Sequence, residues 1–144
     1  MSNYTPPIRV ISPKTSVSNV RPLLDRGADD WSAALLDWDG QPSCALRWNG
    51  SSPSPDQDPH PGNPQSRGRP TWFVIPGELT VPVLEAILAM GPSGPGIDSA
   101  NAETLTKQAI ETFARAQAQS QQGEGRLREL VREVVLEMKA NGEI

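Results

Sequence analysis

Residues 31–48 read Trp31-Ser-Ala-Ala-Leu-Leu-Asp-Trp38-Asp-Gly-Gln-Pro-Ser-Cys-Ala-Leu-Arg-Trp48, and the way they fold decides the class of the protein. Asp39-Gly40 between two apolar runs marks a hairpin turn, because Gly tolerates the positive φ that a tight turn needs. The competing reading is a helix over residues 30–38, since Trp31, Ala34, Leu35 and Trp38 also recur at i, i+3, i+4 and i+7. Leu46 and Trp48 favour the hairpin: they give the returning strand a partner face, which a lone helix would not supply.

Toward the N-terminus, residues 1–7 are polar and end in Pro6-Pro7, the pattern of a frayed terminus. Ile8 to Ile11 alternate apolar with Arg9 and predict a short strand closed by Ser12-Pro13. Val17, Val20, Leu23 and Leu24 recur at helical spacing, with Gly27 placed as a C-cap. Pro22 limits that helix to a turn or two, because it supplies no interior hydrogen bond.

Toward the C-terminus, residues 49–70 form a 22-residue stretch with six prolines and no large apolar side chain. On side-chain burial alone it cannot offset the entropy of ordering itself. Thr71 to Ile75 resume as a strand, ended by Pro76-Gly77. A helix is expected over Val81 to Met90, N-capped by Thr80 and stopped by Gly91. A second runs from about Asn101 to Gln117, with Ala102, Leu105, Ala109, Phe113 and Ala116 on one stripe. The Gln/Ser run 117–122 and Gly123-Glu-Gly125 predict a break. A last helix over 126–140 carries Leu127, Leu130, Val131, Val134 and Met138 as its seam, and Asn141-Gly142 ends it. The sum is an α+β protein: a small antiparallel sheet of three or four strands with packed helices and a C-terminal helical hairpin. Its organisation reads as an α+β core over 1–91 with the Pro-rich loop 49–70, a linker over 92–100, and a helical region over 101–144.

The formal charge of −4 comes from 17 acids against 13 bases, and no segment is a basic block. Residues 51–100 hold two bases, Arg67 and Arg69, against Asp56, Asp58, Glu78, Glu85 and Asp98. That balance disfavours non-specific duplex binding, which draws much of its affinity from Lys and Arg on phosphates. Cys44 is the only cysteine, so no disulfide forms within the chain, which suits a reducing compartment. No signal-like start and no membrane-length apolar run is present. The expected localisation is cytoplasmic, and the glycosylation-like triplets at Asn3 and Asn49 read as chance.

Chemistry-bearing residues are sparse. Asp56-Gln57-Asp58-Pro59-His60 holds the only cluster of metal-ligand types, but a Pro/Ser loop offers no rigidity and no second His or Cys completes a shell. No metal and no cofactor is expected. Cys44 lies between Ser43 and Ala45 in a strand, where cysteine behaves as a small apolar residue. There is no nucleophile-elbow serine and no phosphate-cradling glycine loop, and no catalytic residue is assigned.

Four tryptophans, Trp31, Trp38, Trp48 and Trp72, stand against two Phe and one Tyr. Most belong in the core of a small sheet; one or two left exposed would serve as interface anchors. Trp72, Arg67, Arg69, Arg47 and Trp48 are therefore the expected partner-binding residues. The segments Leu46-Arg-Trp-Asn-Gly50 and Gly62-Asn-Pro-Gln-Ser-Arg-Gly-Arg-Pro-Thr-Trp-Phe-Val-Ile-Pro76 resemble the central part of uncharacterised small accessory proteins of bacterial integrative elements and phages. The resemblance spans roughly residues 8–90, carries over no site residue, and implies a protein that works by binding a host or element-encoded macromolecule. The expected partner is another protein, with no membrane. A nucleic-acid-associated factor is the alternative, an enzyme with loop 51–70 as a lid is the second alternative, and homodimerisation through the C-terminal helices is a further expectation.

Overall fold

A computed structural model describes residues 4–51, 55–56, 58 and 60–142. Expectations resting on Met1–Asn3, on Ser52–Ser54, Gln57 and Pro59, or on the last two residues lie outside the described residues. A single 3-10 turn at Pro7–Arg9 precedes β1 (Val17–Asp25), β2 (Trp31–Trp38) and β3 (Gln41–Trp48). Two short strands, β4 (Gln65–Ser66) and β5 (Arg69–Pro70), then pair with each other, followed by β6 (Phe73–Val74), α1 (Gly77–Met90) and α2 (Ser99–Ala140). The main sheet is antiparallel in the order β1-β2-β3-β6. The α+β class follows the sequence reading.

The hairpin over 31–48 is present. Its register runs from Trp38 opposite Gln41 to Trp31 opposite Trp48 without a slip. Asp39 and Gly40 take φ of 50° and 81°, the pair of positive values that matches the twist of the flanking strands. The helical alternative arose because β2 is covered on both faces. Ser32 to Leu36 are all buried, so the strand reads as a continuous apolar run instead of an alternation.

Two N-terminal expectations are corrected. Residues 17–24 are strand, not a helical turn. Irregularities between Ser18 and Arg21 and between Pro22 and Leu24 shift the inward-facing positions, so Val17, Val20, Leu23 and Leu24 mimic helical spacing. Pro22 is tolerated because β1 is an edge strand. The strand expected over Ile8 to Ile11 is replaced by the Pro7–Arg9 turn. Pro6 and Pro7 sit at its cap and first position, where a fixed φ and a missing N–H suit a helical start, and Arg9 N and Val10 N donate to Pro6 O and Pro7 O. Of that segment Val10 is buried, while Ile8 and Ile11 are exposed.

The sheet has two apolar faces. One packs Leu23, Leu24, Ala33, Leu35, Cys44 and Ile75 under Leu84 and Ile87 of α1 and Ala102 and Ala109 of α2. The other gathers Val17, Ala34, Leu36 and Ala45 around Val10 and Trp72. Trp72 Nε1 donates to Val10 O at 2.8 Å, fastening the N-terminal segment over that face.

The helices also depart from expectation. α1 starts at Gly77, four residues early, and Thr80 does not cap it: its Oγ1 donates back to Pro76 O at 3.0 Å from inside the first turns. The C-terminal region is one continuous helix of 42 residues, N-capped by Asp98 accepting from Asn101 N, so the helical hairpin with a break at 117–125 is not formed. A glycine stops a helix when it adopts the left-handed region at C′, and neither Gly123 nor Gly125 has a positive φ. Inside a run of strong helix formers each instead costs about 1 kcal/mol relative to Ala. No helix among the described residues is long and apolar enough to cross a membrane.

Replacing Gly123 or Gly125 by Ala removes that cost. Each substitution is expected to slow hydrogen exchange of the amides between residues 118 and 140 about fivefold. Exchange in the sheet should be unchanged.

Candidate partner-binding groove

Cross-strand pairing assembles the site. Trp31 lies opposite Trp48 and Ala33 opposite Leu46, and Leu46 lies opposite Phe73 on β6. Directly paired residues share a face, so these side chains stand on the side of the sheet that the helices cover. The helices cover Ala33, Leu35, Cys44 and Ile75, with Trp31 and Leu46 at the margin of that cluster. At the other end Trp48 is 60% and Phe73 57% exposed, with Trp31 and Leu46 half-buried between them and the core. Together with Arg47, Asn63, Pro64 and Gln65 they line an open groove of about 880 Å³.

The wall made by residues 60–65 belongs to the loop that side-chain burial alone would leave without order. Two ladder-like pairs extend β3 into it: Trp48 N donates to Asn63 O at 2.8 Å and Asn63 N to Trp48 O at 3.1 Å, while Ser51 N donates to His60 O at 2.9 Å. Gly62 is required where the backbones approach, because a Cβ there would lie 2.1 Å from Trp48 O. Arg47 supplies the anchor. It is 3% exposed, and its guanidinium donates to Pro61 O at 2.6 Å and to Thr71 O, the two ends of the β4–β5 excursion. Burial pulls its pKa down to about 10, so the group stays charged at neutral pH. Its Nε has no hydrogen-bond partner among the described residues.

A second buried polar cluster fixes the loop's other root. Asp25 accepts from Gly27 N at 2.9 Å, Ser32 Oγ at 3.1 Å and Asn49 Nδ2 at 3.2 Å through Oδ1, and from Tyr4 OH at 2.9 Å through Oδ2. Burial first, and Asp25 second, raise the Tyr4 phenol above its usual pKa. Asn49 Nδ2 also reaches Gly27 O at 2.8 Å. Every contact joins chain segments to one another, so the cluster ties β1, β2 and the end of β3 together.

The five residues expected to bind a partner divide. Trp48 lies on the groove and is exposed; Arg67 and Arg69 are exposed on the β4–β5 turn, where Arg67 and Gly68 repeat the paired positive φ of Asp39 and Gly40. Trp72 is core, 3% exposed, and Arg47 lines the groove at its base, nearly buried, while holding the wall beside it. Trp31, Leu46 and Phe73 were missed. The first two were within reach: counting back from Asp39-Gly40 pairs Trp31 with Trp48 and Ala33 with Leu46. Phe73 arrives through a long loop whose return register no local signal carries.

The other candidates have structural surroundings. Cys44 is fully buried, and burial pushes its thiol up to about 12. His60 Nδ1 accepts from Gly62 N at 2.9 Å within the loop. Among the described residues no three His, Cys, Asp or Glu side chains converge as a metal site would require. Comparison with protein-family models, with curated proteins and with solved structures gives no match.

Two outcomes test this geometry. Arg47→Ala leaves two carbonyls without their donor and opens a void, and is expected to lower unfolding free energy by about 2–4 kcal/mol in urea titration. With a pKa of about 12, only about one Cys44 in ten thousand is thiolate at pH 8. A disulfide reagent should therefore label the folded protein only at the rate of its opening, and the unfolded protein at once.

Proposed function

We propose that the protein is a small, non-enzymatic binding protein, a regulator, inhibitor or accessory factor that engages another protein through the groove between Trp48 and Phe73. The observation that carries this reading is the pair of large aromatic side chains, each more than half exposed, over an apolar floor that the fold's own helices leave uncovered. Exposed aromatic surface of this kind marks binding sites, and tryptophan is enriched among residues that dominate interface energies. A matching partner segment carries an apolar anchor for the groove and acidic groups for Arg67 and Arg69. Residues 46–50 and 62–76, which carry the resemblance to mobile-element and phage accessory proteins, include much of this site; a cytoplasmic role in such an element fits the lone buried cysteine.

A nucleic-acid role is the second reading, because exposed aromatics near arginines also stack bases. The overall charge of −4 weighs against it.

Tagged protein incubated with bacterial lysate should retain a defined partner. Trp48→Ala and Phe73→Ala should each weaken that retention at least tenfold while shifting the thermal midpoint little. Trp72→Ala is unsuitable for this purpose: removing a buried tryptophan costs about 3–5 kcal/mol, so lost retention would report on folding as much as on binding. Equal retention by the Trp48 and Phe73 variants would falsify the groove as the site. Salt-dependent binding of an oligonucleotide lost in the same variants would move the conclusion to nucleic acid.

A further inference from the structure

α2 leaves the body of the protein near Phe113. From Ala114 to Ala140 all side chains are exposed except those of Gln117 and Met138, which are half-buried. Leu127, Leu130, Val131 and Val134 are 55–63% exposed and form one stripe with Met138. A free helix in water draws most of its stability from packing an amphipathic face, and here Leu127, Leu130, Val131 and Val134 on that face stand more than half exposed among the described residues.

The direction of the stripe restricts what can cover it. Leu127 follows Ala109, and Val131 follows Phe113, by 18 residues, about five turns at 3.6 residues each. Ala109 is buried against the sheet and Phe113 packs on the same cluster. The stripe therefore continues the core-facing side of the helix past the edge of the sheet. A second helix of this chain running in the same direction would drive its own body into the first. Only the opposite direction leaves both bodies clear.

The sequence of the stripe suits that direction. About a centre between Arg132 and Glu133, Leu127 mirrors Met138 and Val131 mirrors Val134. Antiparallel helices related by a two-fold axis bring like flanks together. Arg126 and Glu137, eleven residues or about three turns apart, share one flank; Glu124 and Lys139 share the other. Both pairs mirror about a point one residue from the apolar centre, an offset of about 1.5 Å that long side chains absorb. Arg132 and Glu133 themselves lie on the outer side.

We infer that the distal half of α2 is a self-association surface on which two copies pair antiparallel about a two-fold axis near Arg132. Leu127 packs on the partner's Met138 and Val131 on the partner's Val134. Arg126 lies beside the partner's Glu137, and Glu124 beside the partner's Lys139. The surface is separate from the Trp48–Phe73 groove and does not depend on its function. The paired stretch is about 24 Å long and buries less than the roughly 1,200–2,000 Å² of a standard stable interface. The dimer is accordingly a weak one, formed in the micromolar range.

Sedimentation of the full chain should show monomer at about 1 µM and mostly dimer at about 100 µM. Val134→Asp should abolish the dimer. Arg126→Glu and Glu137→Arg should each weaken it about three- to tenfold, and the two together should restore it, because eleven residues apart on one helix they meet only between copies. Under mild oxidation Leu127→Cys mixed with Met138→Cys should crosslink, while Leu127→Cys alone should not, its two sulfurs lying about 16 Å apart along the axis. Wild-type protein that stays monomeric at 100 µM overturns the inference and leaves the stripe to a different protein. A double charge swap as weak as the single changes, or efficient crosslinking of Leu127→Cys to itself, overturns it as well.

Discussion

The hydrogen-bond register of the β2–β3 hairpin is the constraint on which the rest of the structure depends. Once Asp39 and Gly40 close the turn, each cross-strand pair follows: Leu35 with Cys44, Ala33 with Leu46, Trp31 with Trp48. A slip of one residue would move every one of these side chains to the other face. In the register formed, one face offers Leu35 and Cys44 to α1 and α2, and the other offers Ala34, Leu36 and Ala45 to Val10 and Trp72. The same register carries the first face onward to Trp31 and Trp48, past the reach of the helices. The groove is thus the unfinished end of the helix-covered core.

Two buried polar side chains convert irregular chain into a defined wall beside that groove. Arg47 and Asp25 are almost fully inside, and each is held by hydrogen bonds to other parts of the chain in place of an opposite charge, with Arg47 Nε left without a partner among the described residues. Burying a charge without a counter-ion is costly, and hydrogen bonds to the charged group offset part of that cost. The return is positional. Arg47 holds both ends of the segment carrying β4 and β5, and Asp25 joins residues from Tyr4 to Asn49. Backbone pairs and a guanidinium order residues 60–71, a segment with little apolar side chain to bury.

α2 obeys two different rules along its length. Its first four turns are held by packing against the sheet and α1. Beyond Gln117, which reaches the start of α1 at Gly77, its side chains are exposed as far as Glu137, and Gly123 and Gly125 weaken the helix locally. Its free apolar face and the open groove are two exposed apolar surfaces at separate places on the fold. Both result from one circumstance: elements longer than the small body they pack against.

The α+β class, the hairpin with its turn, the strand at Phe73, the two helical regions and the seam from Leu127 to Met138 were determined by the sequence itself. Each rests on a signal confined to a few neighbouring residues: a turn dipeptide, a period, a glycine after a helix. Tertiary structure decided the remainder. Bulges in β1 and burial of β2 on both faces disguised strands as helical spacing, since alternation is legible only when one face meets water. Whether Gly123 and Gly125 end a helix depended on their backbone conformation, which composition leaves open. The sequence marked Trp48 and Trp72 alike, yet one is exposed and the other is core, because β6 and the N-terminal segment return to the sheet through contacts 62 residues apart, as in Trp72 to Val10. Long-range closure of that kind is a property of the folded chain, and it chose which aromatic faces outward.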